Sequence, residues 1–174
     1  MRAGDPPAAT LALVAAVAVQ ETLAVLAPAA DPRIKWPNDI LIGDAKLSGM
    51  LLERAGDAVV IGIGINIAHH PEDIGRRATS LSAMGCDVDA SATLDILAEA
   101  FARWLGLWRS GGIAPVRARW LERAHPLGTA LAATQAEGSR IEGLFDGLDG
   151  DGALMLRLAS GERRAIHAGD VFLI

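Results

Sequence analysis

Fourteen arginines carry nearly all the positive charge of this chain, yet both of its lysines, Lys35 and Lys46, fall in residues 34–67 beside its only two asparagines, Asn38 and Asn66. Three short pieces hold them: Ile34-Lys35-Trp36-Pro37-Asn38-Asp39, Lys46-Leu47-Ser48-Gly49 and Gly62-Ile63-Gly64-Ile65-Asn66. An ammonium is a compact point charge on a flexible stem, whereas a guanidinium is a planar fork, so a lysine in an arginine-rich chain points to a slim cation reaching an anion. At about 4 Å and an effective dielectric near 20, two unit charges attract by about 4 kcal/mol. One lysine can therefore orient a carboxylate.

The third piece reads as a strand, in which successive side chains point to opposite faces. Ile61, Ile63, Ile65 and Ile67 form an apolar wall on one face. Gly62, Gly64 and Asn66 leave the other as bare backbone ending in an amide, on which a ligand could lie flat. Glycine inside a strand marks either a close approach to the backbone or a bulge in a tightly packed sheet, and this piece alone leaves both readings open. Other nucleotide and hydrolase signatures are missing: there is no Gly-x-x-x-x-Gly-Lys-Ser/Thr loop, no Gly-x-Gly-x-x-Gly opening a helix, and no Gly-x-Ser-x-Gly elbow. The run His69-His70-Pro71-Glu72-Asp73 lacks the spacing of metal ligands and reads as a solvated loop.

The elements that position these pieces give an α+β chain. Residues 6–27 are almost wholly apolar and predict a helix opened by Pro6 and Pro7, buried around much of its circumference and ended by Pro28. The competing membrane span is interrupted by Glu21 and is too short, and a signal peptide is disfavoured by Asp5 and the two prolines. Residues 33–36 predict a strand, Pro37-Asn38 a kink and residues 39–42 its continuation. Turns at Gly43-Asp44 and Gly56-Asp57 then lead into strands at 46–53 and 58–67, an antiparallel meander. Between 91 and 109, Leu94, Leu97, Phe101, Trp104, Leu105 and Trp108 predict one buried face of an amphipathic helix. A shorter helix through Val116, Trp120 and Leu121 ends at His125-Pro126, where a domain boundary is expected. Beyond it, short apolar runs between glycine and aspartate turns predict a small β-barrel over 126–174, packed on domain 1–125 because about fifty residues rarely bury enough surface alone.

A net charge of −5 and a pI near 5.3 argue against a nucleic-acid surface. No winged-helix DNA-binding segment is present, and no membrane association is expected. The single cysteine, Cys86, fits a reducing cytoplasm.

Taken in order, the Lys-Trp-Pro-Asn-Asp, Lys-Leu-Ser-Gly and Gly-Ile-Gly-Ile-Asn pieces resemble the signature of biotin protein ligases. Ile141-Glu142-Gly143, Gly152-Ala153-Leu154 and Ala168-Gly169-Asp170-Val171 resemble that family's C-terminal SH3-like barrel. The resemblance implies a biotin/lipoate ligase-like catalytic domain with a mixed, mainly antiparallel sheet, and ATP-dependent ligation of biotin, through biotinyl-5′-adenylate, to a lysine of a biotin carboxyl carrier domain. It implies Lys46 as the lysine contacting the biotin carboxylate and adenylate phosphate. Asn38 and Asp39 would lie near the phosphates, with Asp39 a ligand of Mg²⁺. Asn66 would meet the nucleotide, Gly49, Gly62 and Gly64 would line the substrate site, and Trp36 and Lys35 would support it by packing. The family's Gly-Arg-rich loop has no counterpart here, so the chain resembles a ligase that starts late. It is then expected to form little adenylate by itself, and to associate, for instance as a homodimer, through an open sheet edge. The alternative is a non-catalytic relative that retains weak nucleotide or carrier binding.

Overall fold

The computed structural model describes residues 1–72, 75–135 and 138–174. After a 3-10 turn at Ala8–Thr10, helix α1 (Leu11–Leu26) runs through the centre of the molecule. Together with that turn, as Ala8–Leu26, it is long and apolar enough to cross a membrane by length and composition, but Val14 to Val19 have no accessible surface, and α1 packs against both other helices and a sheet. Glu21 on the helix and Thr10 at its N-cap have specific partners. Glu21 accepts hydrogen bonds from Arg103 Nη2 at 2.5 Å and Trp104 Nε1 at 2.7 Å, and Thr10 Oγ1 accepts one from Trp108 Nε1 at 2.8 Å. Pro28 follows the helix, as expected.

Strands β1 (Arg33–Lys35), β2 (Asp39–Ile42), β3 (Ala45–Ala55) and β4 (Ala58–Ile65) pair antiparallel in sequence order, the meander that the turns predict. One expectation is overturned. β2 does not continue β1 past a kink but folds back on it as a hairpin, with Lys35 opposite Asp39. Pro37, which follows a cis peptide, has no N–H for a ladder, and Asn38 anchors the turn by donating from Nδ2 to the Met50 carbonyl at 2.6 Å. β4 also ends at Ile65, because the Asn66 and Ile67 carbonyls accept from Leu81 and Ser82 of the returning chain.

Helix α2 (Ala90–Gly111) is capped by Asp89, whose side chain accepts from Ala92 N. Its buried stripe is Thr93, Leu97, Ala100 and Trp108, with Phe101, Trp104 and Leu105 beside it. Leu94, assigned to that face from the sequence, is 62 % exposed. Thr93 occupies the inward position, and the next residue lies about 100° further around the helix.

Helix α3 (Ile113–Arg123) leads to a second antiparallel sheet of β5 (Ala130–Thr134), β6 (Arg140–Leu148), β7 (Leu154–Arg157), β8 (Arg163–Ile166) and β9 (Asp170–Leu173), in the order β8-β7-β6-β5-β9. It docks on the first part of the chain. Trp120 meets Phe145 edge-on with centroids 6.3 Å apart, Arg117 Nε donates to the Leu148 carbonyl at 3.0 Å, and Trp36 Nε1 donates to the Gly152 carbonyl at 3.2 Å. Buried side chains from both sheets form one continuous core.

Candidate active site

Lys46 sits at the start of β3, with its backbone held from both sides. It pairs with Leu41 across an irregularity in the β2–β3 ladder. On its other side, Lys46 N donates to the Arg77 carbonyl and Thr79 N donates to the Lys46 carbonyl, each at 3.0 Å. Its ammonium is ion-paired with Asp39 Oδ1. The side chain runs directly over Gly49, where an added Cβ would lie 2.7 Å from Nζ and 2.8 Å from Cε. Gly49 is therefore the space that the lysine occupies.

Asp39 is 5 % exposed, and its other oxygen, Oδ2, is 3.2 Å from Lys35 Nζ. The β1–β2 hairpin creates this arrangement by setting Lys35 opposite Asp39. Lys35 is thus more than packing support: it also donates to the Val171 carbonyl of β9 at 2.9 Å and lies 5.9 Å from the Phe172 ring centroid. A divalent cation at Asp39 would meet two ammonium groups, so the residues present do not fit Asp39 as a Mg²⁺ ligand. Among the described residues no group of three His, Cys, Asp or Glu could hold a metal. His69 is exposed, while His70 is half-buried with Nδ1 3.2 Å from Ser80 Oγ. Asp73, grouped with them from the sequence, lies outside the described residues.

Beside Lys46 opens a concavity of about 620 Å³, floored by Gly49, Leu51, Gly62 and Gly64 and reaching Asn66 and Arg76. Gly62 and Gly64 are exposed, whereas Ile61, Ile63 and Ile65 turn inward and are partly buried against the core. A Cβ at Gly62 or Gly64 would come no closer than 3.8 Å to its nearest neighbour, a backbone oxygen of Leu51 or Gly49. Tight packing is therefore not what these glycines serve; they leave bare backbone on this face of the sheet. Ser48, buried beneath, donates from Oγ to the Gly64 carbonyl at 2.7 Å.

The two asparagines bind backbone. Asn38 stitches the hairpin tip to β3, and Asn66 donates from Nδ2 to the Thr79 carbonyl at 2.9 Å and to the Lys46 carbonyl at 3.4 Å. Asn66 thereby secures the segment that flanks Lys46. A second basin of about 210 Å³ lies on the far side, toward β9, and Lys46 and Arg76 line both. Arg76 was not selected from the sequence. Its signal was the Arg76-Arg77 pair ten residues after Asn66, which is interpretable only once the returning chain brings it beside Lys46.

The pattern of the Biotin/lipoate A/B protein ligase family matches residues 6–122, and that of the Biotin protein ligase C terminal domain matches residues 132–174. The chain belongs to the biotin protein ligase family. Similar proteins include a biotin--[acetyl-CoA-carboxylase] ligase of Paracoccus denitrificans, 40% identical over 181 residues, covering 97% of this chain and 75% of the relative. The Bifunctional ligase/repressor BirA of Bacillus subtilis is 33% identical over 173 residues, covering 94% of this chain but 52% of its own length. The biotin protein ligase of Aquifex aeolicus, solved in complex with biotin and ATP, superposes with a TM-score of 0.85 at 25% identity, covering 96% of this chain and 72% of that one. The α+β architecture expected for a biotin protein ligase, helices packed with antiparallel sheets ahead of the family's C-terminal domain, is thus present.

Proposed function

We propose that this chain carries out ATP-dependent ligation of biotin to a lysine of a biotin carboxyl carrier domain, through biotinyl-5′-adenylate. The observation that carries this reading is the Lys46 ammonium at the edge of an open, glycine-floored concavity. Its volume of about 620 Å³ suits a small-molecule site, which typically spans about 300–1,000 Å³. Gly62 and Gly64 floor the biotin end, where a flat ligand can approach the backbone. Lys46 meets the carboxylate that attacks ATP and then the adenylate phosphate, a charge present in both steps. Asn38, Asn66 and Gly49 hold the strands and the lysine in place, and Asn66 and Arg76 border the nucleotide end.

Residues 1–125 form the catalytic domain in this reading and residues 126–174 the C-terminal one, in a cytoplasmic enzyme. The names of the relatives and the Aquifex complex with biotin and ATP support biotin and ATP as substrates. Incubation with biotin, ATP and a carrier domain tests the proposal. It requires biotin-dependent pyrophosphate release above the level without biotin, however small, and a carrier lysine gaining the biotinyl mass. Absence of both, together with no binding of biotinyl-adenylate, would refute it.

A further inference from the structure

We infer that Lys35 is a positioning residue that neutralises Asp39, so that Lys46 keeps an uncompensated positive charge for an anionic ligand. The inference rests on the ligase reading only for the identity of that anion. A lysine paired one-to-one with a buried carboxylate forms a neutral unit with little attraction for a phosphate. Asp39 is 5 % exposed and close to two ammonium groups, Lys46 at Oδ1 and Lys35 at Oδ2. Two cations and one anion leave a net charge of +1. Geometry decides where that charge is available. Lys35 is 16 % exposed at its side chain, donates to the Val171 carbonyl at 2.9 Å and lies 5.9 Å from the Phe172 ring, so its charge is spent within the protein. Lys46 borders both basins. Lys35 borders the smaller basin but not the larger concavity, so an effect of replacing it on binding in the larger one acts through Asp39, and rescue by Asp39→Asn separates that effect from direct contact in the smaller basin.

The second consequence concerns the C-terminal sheet. Val171 and Phe172 lie on β9, so the C-terminal sheet holds the counter-charge in place and completes the electrostatics of a site built on β3 and β4.

Lys35 and Lys46 are the only lysines, so lysine-selective ¹³C labelling of the full chain gives a separate signal for each. Inorganic pyrophosphate is the probe, with dissociation constants read from the Lys46 signal. We expect Lys35→Met to weaken binding about tenfold and Lys35→Arg to restore it to within about threefold, since the guanidinium keeps the charge. The double variant Lys35→Met/Asp39→Asn should recover most of the loss, because removing the carboxylate again frees Lys46. A purely structural role predicts the opposite, a double variant worse than either single one. The inference is overturned if the parent does not bind pyrophosphate, if Lys35→Met binds like the parent, or if neither rescue improves on Lys35→Met while circular dichroism shows all variants folded. Failure of the ligase reading would instead leave this series intact and abolish only biotin-dependent pyrophosphate release.

Discussion

At the scale of single residues, the site depends on which atoms have room. A methyl group at Gly49 would overlap the Lys46 ammonium, the free end of a flexible side chain, rather than any backbone. Gly49→Ala is therefore expected to fold normally but to re-aim Lys46, lowering adenylate formation about tenfold or more. A melting curve and a pyrophosphate-release assay on the same sample separate the two effects. Gly62→Val and Gly64→Val make the complementary case. Each Cβ has ordinary clearance and valine suits a strand, so stability should hold while the side chain fills the ligand face and biotin binding, followed by calorimetry, is lost. Unfolding in place of lost binding would return these glycines to a packing role. Lys46 and the glycine face were legible in the sequence because rarity and strand alternation are properties of the chain itself. The partners of Asn38, Asp39 and Lys35 were not, because they depend on a hairpin that places Lys35 opposite Asp39 and brings Asn38 to Met50 on a different strand.

At the scale of elements, turns and apolar periods set the helices and the meander, while the exact faces depended on packing. Leu94 matches the helical spacing of α2, yet Thr93 takes the inward position. Leu94→Ala should change stability by no more than about 0.5 kcal/mol. Trp120 is 1 % exposed and carries the contact between α3 and β6, so Trp120→Ala is expected to cost about 3–5 kcal/mol. Urea unfolding curves of the two variants test this ranking, and equal midpoints would contradict it. The β1–β2 reversal was misread as a kink because proline is compatible with either, and only the pairing of β1 with β2 distinguishes them.

At the scale of the whole molecule, one group at the junction of the two sheets links stability to pH. Burial pushes the His125 imidazole below its usual value of 6.5, with Arg33 and then Lys35 adding to the shift. Above pH 6.5 both folded and unfolded chains carry it neutral, and its contribution to stability is fully present. As pH falls from 6.5 toward the lower folded value, the unfolded chain takes up the proton first and stability is lost. His125→Gln should flatten that part of the melting-temperature profile. A parent and variant falling in parallel between about pH 7 and 5.5 would assign the loss to other groups. The same junction brings Lys35 to Val171 and Trp36 to Gly152, so the C-terminal sheet contacts the segment that carries Asp39's second counter-charge.

The central claim is that the concavity beside Lys46 holds the adenylate and that Lys46 supplies the charge facing it. Its most direct measurement is the affinity of the full chain for biotinyl-5′-adenylate, compared by calorimetry with Lys46→Ala. Loss of one such charge-assisted contact should weaken binding about a hundredfold, while circular dichroism shows the chain still folded, because the partly exposed lysine leaves no apolar cavity and Lys35 still pairs with Asp39. A Lys46→Ala chain that binds the adenylate as tightly as its parent would contradict the account.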